Sequence, residues 1–569
     1  MKLLLRSATL VTAIMLTQSA GFSAERSHAR SMVITRQGIV ATSQTLASQA
    51  GAQVLARGGS AVDAAIAANA VMGVVEPMSC GMGGDLFAIY WDAKSGKLTG
   101  LNASGWSPKG LSIAFLEGKQ ITAMPQLGIH TVTVPGCVDG WEKLHKRFGR
   151  LPWAELFRPA VYYAANGFPV TELIGEAWRV LVSKLSDDQL GRSIFLPDGA
   201  APGVGQIFRN PPLAKTLQLV AGEGAAAFYR GQITKNILEL SDWTGGTLSA
   251  ADFAEFQSEW VTPISTDYRG WKVYELPPNG QGVAALEMLN IMETFQLPKL
   301  DPLSADAYHL KMESQKLAYQ DLAMYVADPR FAKLPLAGLL SKKYAVERAA
   351  LVDPSLAKCD VAPGHPPEGA GDTIYLSVVD RDGNIVSLIQ SLYRGFGSGL
   401  SVPNMGFHLH NRGALFTLNP KHPNALEPRK RPFHTIIPAF MEKGNLHLGF
   451  GIMGGLNQAQ AHAQFVSNMV DHGMNIQAAL EAPRFTKEQF GGCEVSIERR
   501  VPAEVRQVLL DRGHKLRVLG VYDDTVGGGQ VVLRDTSTGV NYGASSPRKD
   551  GAAVPEPDPY FAERTPKKK

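Results

Sequence analysis

Cysteine is scarce: Cys80, Cys137, Cys359 and Cys493 are the only four in 569 residues. Spacings this wide offer neither a disulfide framework nor a zinc motif, and buried free thiols are the expectation for all four. Charge of one sign is scarce too. Fifty-six Lys and Arg against 52 Asp and Glu leave a net charge of +4, which gives no electrostatic case for a nucleic-acid partner. Lys567-Lys568-Lys569 reads as a solvated tail. Long apolar runs are missing as well. The run 8–16 follows Lys2 and Arg6 and precedes Ser19-Ala20-Gly21 and Ser23-Ala24. At about nine residues it is too short to span a bilayer, and its order of charge, apolar stretch and small residues is that of an export signal. Residues 1–24 are therefore expected to be a cleaved signal peptide, the mature protein periplasmic or secreted, with no stable membrane span.

Nucleotide-binding signatures fail on inspection. Gly280-x-Gly282-x-x-Ala285 has dinucleotide spacing, but Pro277-Pro278-Asn279 stand between the strand 271–276 and the first glycine, and no acid follows about twenty residues on. The glycines of Met78-Ser79-Cys80-Gly81-Met82-Gly83-Gly84-Asp85 follow a helix and precede the strand 86–91, the reverse of a phosphate cradle. They predict a tight turn with close backbone packing. No cofactor is expected.

What is present is 45% hydrophobic residue over a long chain, enough for an extensive core. Residues 44–75 carry small and apolar side chains at helical spacing, broken at Gly58-Gly59, and predict two closely packed helices. Residues 171–257 read as helices with polar loops. Asp187-Asp188 lies in one of these loops and is expected to be solvated, since adjacent residues share no helix face. His408-x-His410 reads as one face of a strand at 406–410, a geometry that suits a metal pair but shows no third ligand, so a surface face is expected. Helices are predicted at 305–325, 458–472 and 498–513.

The most informative stretch begins after residues 360–370, a Pro- and Gly-rich loop without apolar period. There Gly371-Asp372-Thr373 opens a β-branched and aromatic run, Asp382-Gly383-Asn384 forms a turn, and residues 385–393 return as a second strand. Taken alone, a threonine at the head of a strand reflects β-propensity.

Together with Ser391 at the far end of that hairpin, the pair Gly454-Gly455 before a helix, Val134-Pro135-Gly136 and the tract from Gly58 to Asp85, this stretch resembles the gamma-glutamyltranspeptidase family. The segment from Asn411-Arg412-Gly413 to Lys430-Arg431-Pro432-Phe433-His434-Thr435 is similar to its oxamate amidohydrolase and cephalosporin-acylase-like branch. The resemblance implies an α+β fold, the four-layer αββα sandwich of the N-terminal nucleophile hydrolases. It further implies a proenzyme that cuts itself between Asp372 and Thr373 into a large subunit, 25–372, and a small subunit, 373–569, forming one interleaved catalytic domain. Thr373 would be nucleophile and, through its freed amine, base; Ser391 would orient its hydroxyl; Gly454 and Gly455 would form the oxyanion hole. No metal is implied.

The substrate positions depart from the family pattern. Ser104 stands where an arginine holds the glutamate carboxylate, Tyr393 replaces an asparagine, Arg412 replaces the residue that receives the α-amine, Leu415 replaces an aspartate, and His434-Thr435 replaces a Ser-Ser pair. A guanidinium repels an ammonium and suits a carboxylate. The expected substrate is thus a small-molecule amide of a dicarboxylic acid, at an open site. A true gamma-glutamyltransferase or glutathione hydrolase, and an unprocessed non-catalytic binding protein, stand as alternatives.

Overall fold

Alternation along the strands builds the centre of the molecule. In the computed structural model, which describes residues 28–185, 187–360 and 372–562 apart from the side chains of 372–374 and 561–562, the strands Asp372–Val379 and Ile385–Tyr393 pair antiparallel. The expected signal segment, the linker from 361 to 371 and the Thr373 side chain lie outside the described residues. This hairpin is the middle of a seven-stranded sheet ordered Ala552–Pro555, Ile39–Thr42, Asp372–Val379, Ile385–Tyr393, Asp85–Asp92, Lys97–Ala103, Glu259–Val261. A second seven-stranded sheet runs Val33–Thr35, Val540–Ser545, Gly529–Asp535, Leu446–Ile452, Ala439–Lys443, Trp271–Glu275, Ile264–Tyr268.

The period of two decides which layer each side chain enters. Phe87, Ile89, Trp91, Tyr375, Val379, Ile385 and Ile389 meet Phe440 and Val532 between the sheets. Their neighbours Leu86, Ala88, Tyr90, Leu376, Val378, Val386 and Leu388 point the other way, into a core shared with the helices Thr45–Ala56 and Ala61–Val75. On the far side Met441, Leu448 and Val531 pack with the helices Gly282–Glu293, Ala305–Tyr325 and Asn457–Val470. Helix, sheet, sheet and helix make the expected four-layer αββα sandwich. The sheets approach closely where glycines face side chains of the other sheet: a Cβ on Gly451 would lie 2.5 Å from Cδ2 of Tyr375, and one on Gly543 2.5 Å from Cδ1 of Ile39.

The paired helices near the N-terminus form as their spacing predicts. Ser60 and Asp63 close a capping box at the start of the second, and a Cβ on Gly51 would lie only 3.2 Å from the Ala64 carbonyl of its partner helix. Three expectations fail. Cys359 and Cys493 are not free thiols but a disulfide, leaving Cys80 and Cys137 as buried free cysteines. Wide spacing hid the bridge, because it joins a loop to the start of a strand only after the fold has brought them together. Asp188 is not solvated: it caps the helix Gln189–Phe195, accepting from Gly191 N at 2.9 Å, and also accepts from Ser401 N at 2.9 Å. His408 and His410 lie on no extended strand and on no surface, being 2% and 0% exposed. Among the described residues no helix is long and apolar enough to cross a membrane.

The bridge spans a sequence separation of 134 residues. A native disulfide of this kind stabilises by about 2–4 kcal/mol. Measured in the uncut Thr373→Ala background, where the bridge closes a loop within one chain, Cys359→Ser is expected to lower the unfolding free energy in urea by that amount, and dithiothreitol to lower the parent to the level of the variant while leaving the variant unchanged.

Candidate active site

The hairpin is irregular at its open end. Ile374 stands opposite Gln390 but Asp372 opposite Tyr393, so Ser391 and Leu392 together face Thr373, which places a β-bulge at the expected scissile bond. Such bulges re-aim the chain and end regular pairing. Ser391 is fully buried, its Oγ accepting from Tyr393 N at 2.7 Å, and on the other side of its strand it stands opposite Asp85. The glycines before Asp85 permit this approach. A Cβ on Gly84 would lie 2.3 Å from the Ser391 carbonyl, and one on Gly83 would lie 2.1 Å from that of His408.

Asp85 is a buried anion around which the expected substrate residues gather. Its Oδ1 accepts from Gly105 N at 2.9 Å, next to Ser104. Its Oδ2 accepts from His434 Nε2 at 2.8 Å and lies 3.4 Å from Nε of Arg412 and 3.6 Å from Nδ1 of His410. Burial works to raise the carboxyl pKa, but His410, the His434 hydrogen bond and Arg412 together hold it well below the ordinary range. Burial, reinforced by Arg412, pulls His434 down to about 3. It is therefore neutral, with Nε2–H donating to Asp85 and Nδ1 accepting from Ile436 N at 3.3 Å. His410 donates from Nε2 to the Thr133 carbonyl at 3.0 Å.

Arg412 completes the cluster. It is 0% exposed, donates from Nη1 to Thr435 Oγ1 at 2.8 Å, and its guanidinium carbon lies 4.6 Å from the Tyr393 ring centroid. Burial lowers its pKa to about 10 against the pull of Asp85. Its Nη2 is buried and has no hydrogen-bond partner among the described residues. Ser104, Tyr393, Arg412, His434 and Thr435 thus stand together, not at an open surface but beneath one.

Gly454 and Gly455 form a second focus. Both take positive φ, 119° and 58°, which favours glycine, and neither N–H donates to a partner among the described residues. Gly454 lines a cavity of about 660 Å³ with Met453, Asn457, Leu173, Val180 and Lys549. Gln281 links the two foci: its Nε2 donates to the carbonyls of Thr435 and, at 2.8 Å, Gly455.

Sequence reasoning missed Asp85, His410 and Gln281. Asp85 was visible only as the end of a glycine turn, and Gln281 only as the spacer of a spoiled nucleotide motif. A further buried group, His309, Glu313 and His514, has ligand atoms within 4.8 Å of one another. Lys316 already pairs with that glutamate at 2.6 Å and Asp353 O accepts from His309 Nε2 at 2.7 Å, so its charge is balanced within the protein.

Two stacked sheets between helical layers, with a bulged strand opening beside a buried hydroxyl and a glycine turn, define an N-terminal nucleophile hydrolase fold. The family model for gamma-glutamyltranspeptidase matches residues 47–556, and the chain belongs to that family. It is 37% identical to the glutathione hydrolase-like YwrD proenzyme of Bacillus subtilis, over 92% of this chain and 99% of that one. Against the acylase ACY 1 proenzyme of a Pseudomonas species it is 34% identical, over 91% and 93%. The crystal structure of cephalosporin acylase from Bacillus halodurans superposes with a TM-score of 0.86 at 42% identity, covering 92% of this chain and 97% of that chain.

Because the folded pKa of His434 is depressed from 6.5 to about 3, the unfolded chain binds more protons between those values, and stability falls as pH drops through that window. His434→Gln is expected to flatten the pH dependence of the unfolding free energy between pH 6 and pH 4 by up to about 1.4 kcal/mol per pH unit. Urea titrations at the two pH values measure it.

Proposed function

We propose that the chain is an exported, self-processing amidohydrolase whose nucleophile is Thr373 and whose substrates carry a carboxylate on the acyl side. In the first step Thr373 Oγ attacks the Asp372 carbonyl, the peptide C–N bond breaks, and water opens the resulting ester. The new α-amine, with an ordinary pKa of about 8, takes the hydroxyl proton in the second step. Oγ then adds to the substrate carbonyl, the oxyanion meets the N–H groups of Gly454 and Gly455, the amine departs with the proton, and water hydrolyses the acyl ester. The N–H groups of that glycine turn, which donate to no partner among the described residues, and the bulge at residue 373 support this assignment. Ser391 would orient Oγ. The Cys359–Cys493 bridge supports export, because disulfides persist in oxidising compartments.

The single observation that carries the acyl preference is the buried Nη2 of Arg412, which has no hydrogen-bond partner among the described residues. Asp85 balances the charge of Arg412, so a substrate carboxylate gains from the directed N–H rather than from surplus positive charge. A hydrogen bond to a charged group is worth about 1.5–3 kcal/mol, or roughly 10- to 100-fold in KM. A second reading, gamma-glutamyl hydrolysis or transfer, draws support from the names of the relatives. It must place an α-ammonium near Arg412, which costs more than about 1 kcal/mol at contact distance.

Processing is tested on a denaturing gel. Purified protein is expected to run as one band without reductant and as two with it, since the bridge joins the pieces on either side of residue 373, and Thr373→Ala as one band in both; an uncut, active wild type ends the proposed mechanism. Specificity is tested with p-nitroanilides of glutaric acid, butyric acid and gamma-linked glutamic acid. Arg412→Lys, which keeps the charge facing Asp85, and Arg412→Gln should each raise KM for the glutaric anilide by 10-fold or more, with self-cleavage intact and the butyric anilide little affected. Preference of wild type for the gamma-glutamyl anilide would favour the second reading.

A further inference from the structure

The turn Pro277-Pro278-Asn279-Gly280-Gln281-Gly282, whose spacing matches a dinucleotide fingerprint only formally, is built in an unusual way for a mere connection. It leaves the strand Trp271–Glu275 and enters the helix Gly282–Glu293, and every residue from 279 to 282 is buried. Gly280 forms a bridge with His434, and a Cβ on Gly282 would lie 2.6 Å from Cβ of Glu275. Close packing of this kind lets the backbone run beside the segment 432–435. Asn279 donates to the Pro432 carbonyl at 2.8 Å and to Ser104 Oγ at 3.2 Å, while its oxygen accepts from Asn102 Nδ2 at 2.9 Å. Gln281 N donates to the His434 carbonyl at 3.0 Å.

The side chain of Gln281 then reaches past this segment. One amide nitrogen holds two carbonyls, those of Thr435 and Gly455, and its Oε1 has no partner among the described residues. Gly455 sits in a turn of positive φ that only glycine adopts readily, so its own backbone has more freedom than any other residue type would have. A carbonyl fixed from outside removes that freedom. Fixing the Gly455 carbonyl holds the Gly455–Leu456 peptide plane and so anchors the Cα of Gly455, from which the two preceding planes, carrying the N–H groups of Gly454 and Gly455, are hung.

We propose that Gln281 is the positioning residue of the oxyanion turn, tying Gly455 to the wall that holds Thr435 so that the acyl end and the oxyanion end of a substrate keep one spacing. The proposal rests on the reading of Gly454 and Gly455 given above. It acts on the transition state, because the N–H groups it aligns are called on only when the carbonyl oxygen becomes anionic. Misaligning such donors therefore lowers kcat and leaves KM nearly unchanged.

The test uses the full-length protein with glutaric p-nitroanilide, comparing wild type with Gln281→Leu and the near-isosteric Gln281→Glu, whose carboxylate repels both carbonyls. The expected result is a fall in kcat of about 100-fold, by analogy with the loss of one oxyanion donor, with KM within about twofold. Gln281→Asn, too short to reach both carbonyls, is expected to rescue less than tenfold. Amide hydrogen exchange over residues 453–457 supplies a readout that needs no turnover: it should rise at least tenfold in Gln281→Leu while the peptide over 372–379 keeps its wild-type rate. Unchanged exchange at 453–457, or a loss that appears in KM with kcat preserved, overturns the proposal. A wild type that remains one chain and cleaves none of the anilides sinks the amidohydrolase reading instead, and the exchange measurement still decides the role of Gln281. Should Gln281→Leu fail to fold, Gln281→Glu carries both measurements.

Discussion

Everything at the acyl end of this site depends on one buried carboxylate finding enough positive and hydrogen-bonding partners to remain ionised. Moving an ion out of water costs several kcal/mol even after relaxation, and Asp85 meets that cost with a backbone N–H, an imidazole N–H and a guanidinium at once. In return it fixes the tautomer of His434 and the orientation of Arg412. The glycines at 83 and 84 are the structural condition for the arrangement, since a side chain at 84 would push the Ser391 backbone away and one at 83 the His408 backbone.

The two foci differ in how they are held. The cluster around Asp85 is held by side chains whose charges balance, the Gly454-Gly455 turn by backbone geometry that favours glycine. Between them runs a single amide side chain, that of Gln281. The cavity of about 660 Å³ is lined by Gly454 and not by Arg412, which is fully buried.

Local signals carried a great deal of the architecture. Period-two alternation and the Asp-Gly turn gave the hairpin, alanines at helical spacing gave the two N-terminal helices, and Gly454-Gly455 before the helix Asn457–Val470 was singled out through the family resemblance. Features made by long-range contact were not legible. Cys359 and Cys493 meet only through the fold, Asp188 becomes a helix cap through its neighbours Gly191 and Ser401, and His408-x-His410 is buried because the chain around it is folded inward rather than extended. Asp85 shows the limit most clearly: as a residue after glycines it is unremarkable, and its role comes from partners more than three hundred positions away in the chain, such as His434.

The strand Ile39–Thr42 lies between Asp372–Val379 on one side and Ala552–Pro555 on the other, with Pro555 opposite Ile39, while Val33 stands opposite Gly543. The first and last strands of the described chain are edge strands of the two stacked sheets, Val33–Thr35 of one and Ala552–Pro555 of the other, and they lie against each other. A rewired gene could exploit this: begun at the codon for Thr373, and with a linker joining residue 562 to residue 28, it would order the same strands into the same sheets. Removal of the initiator methionine would then leave Thr373 as an N-terminus with no cut between residues 372 and 373.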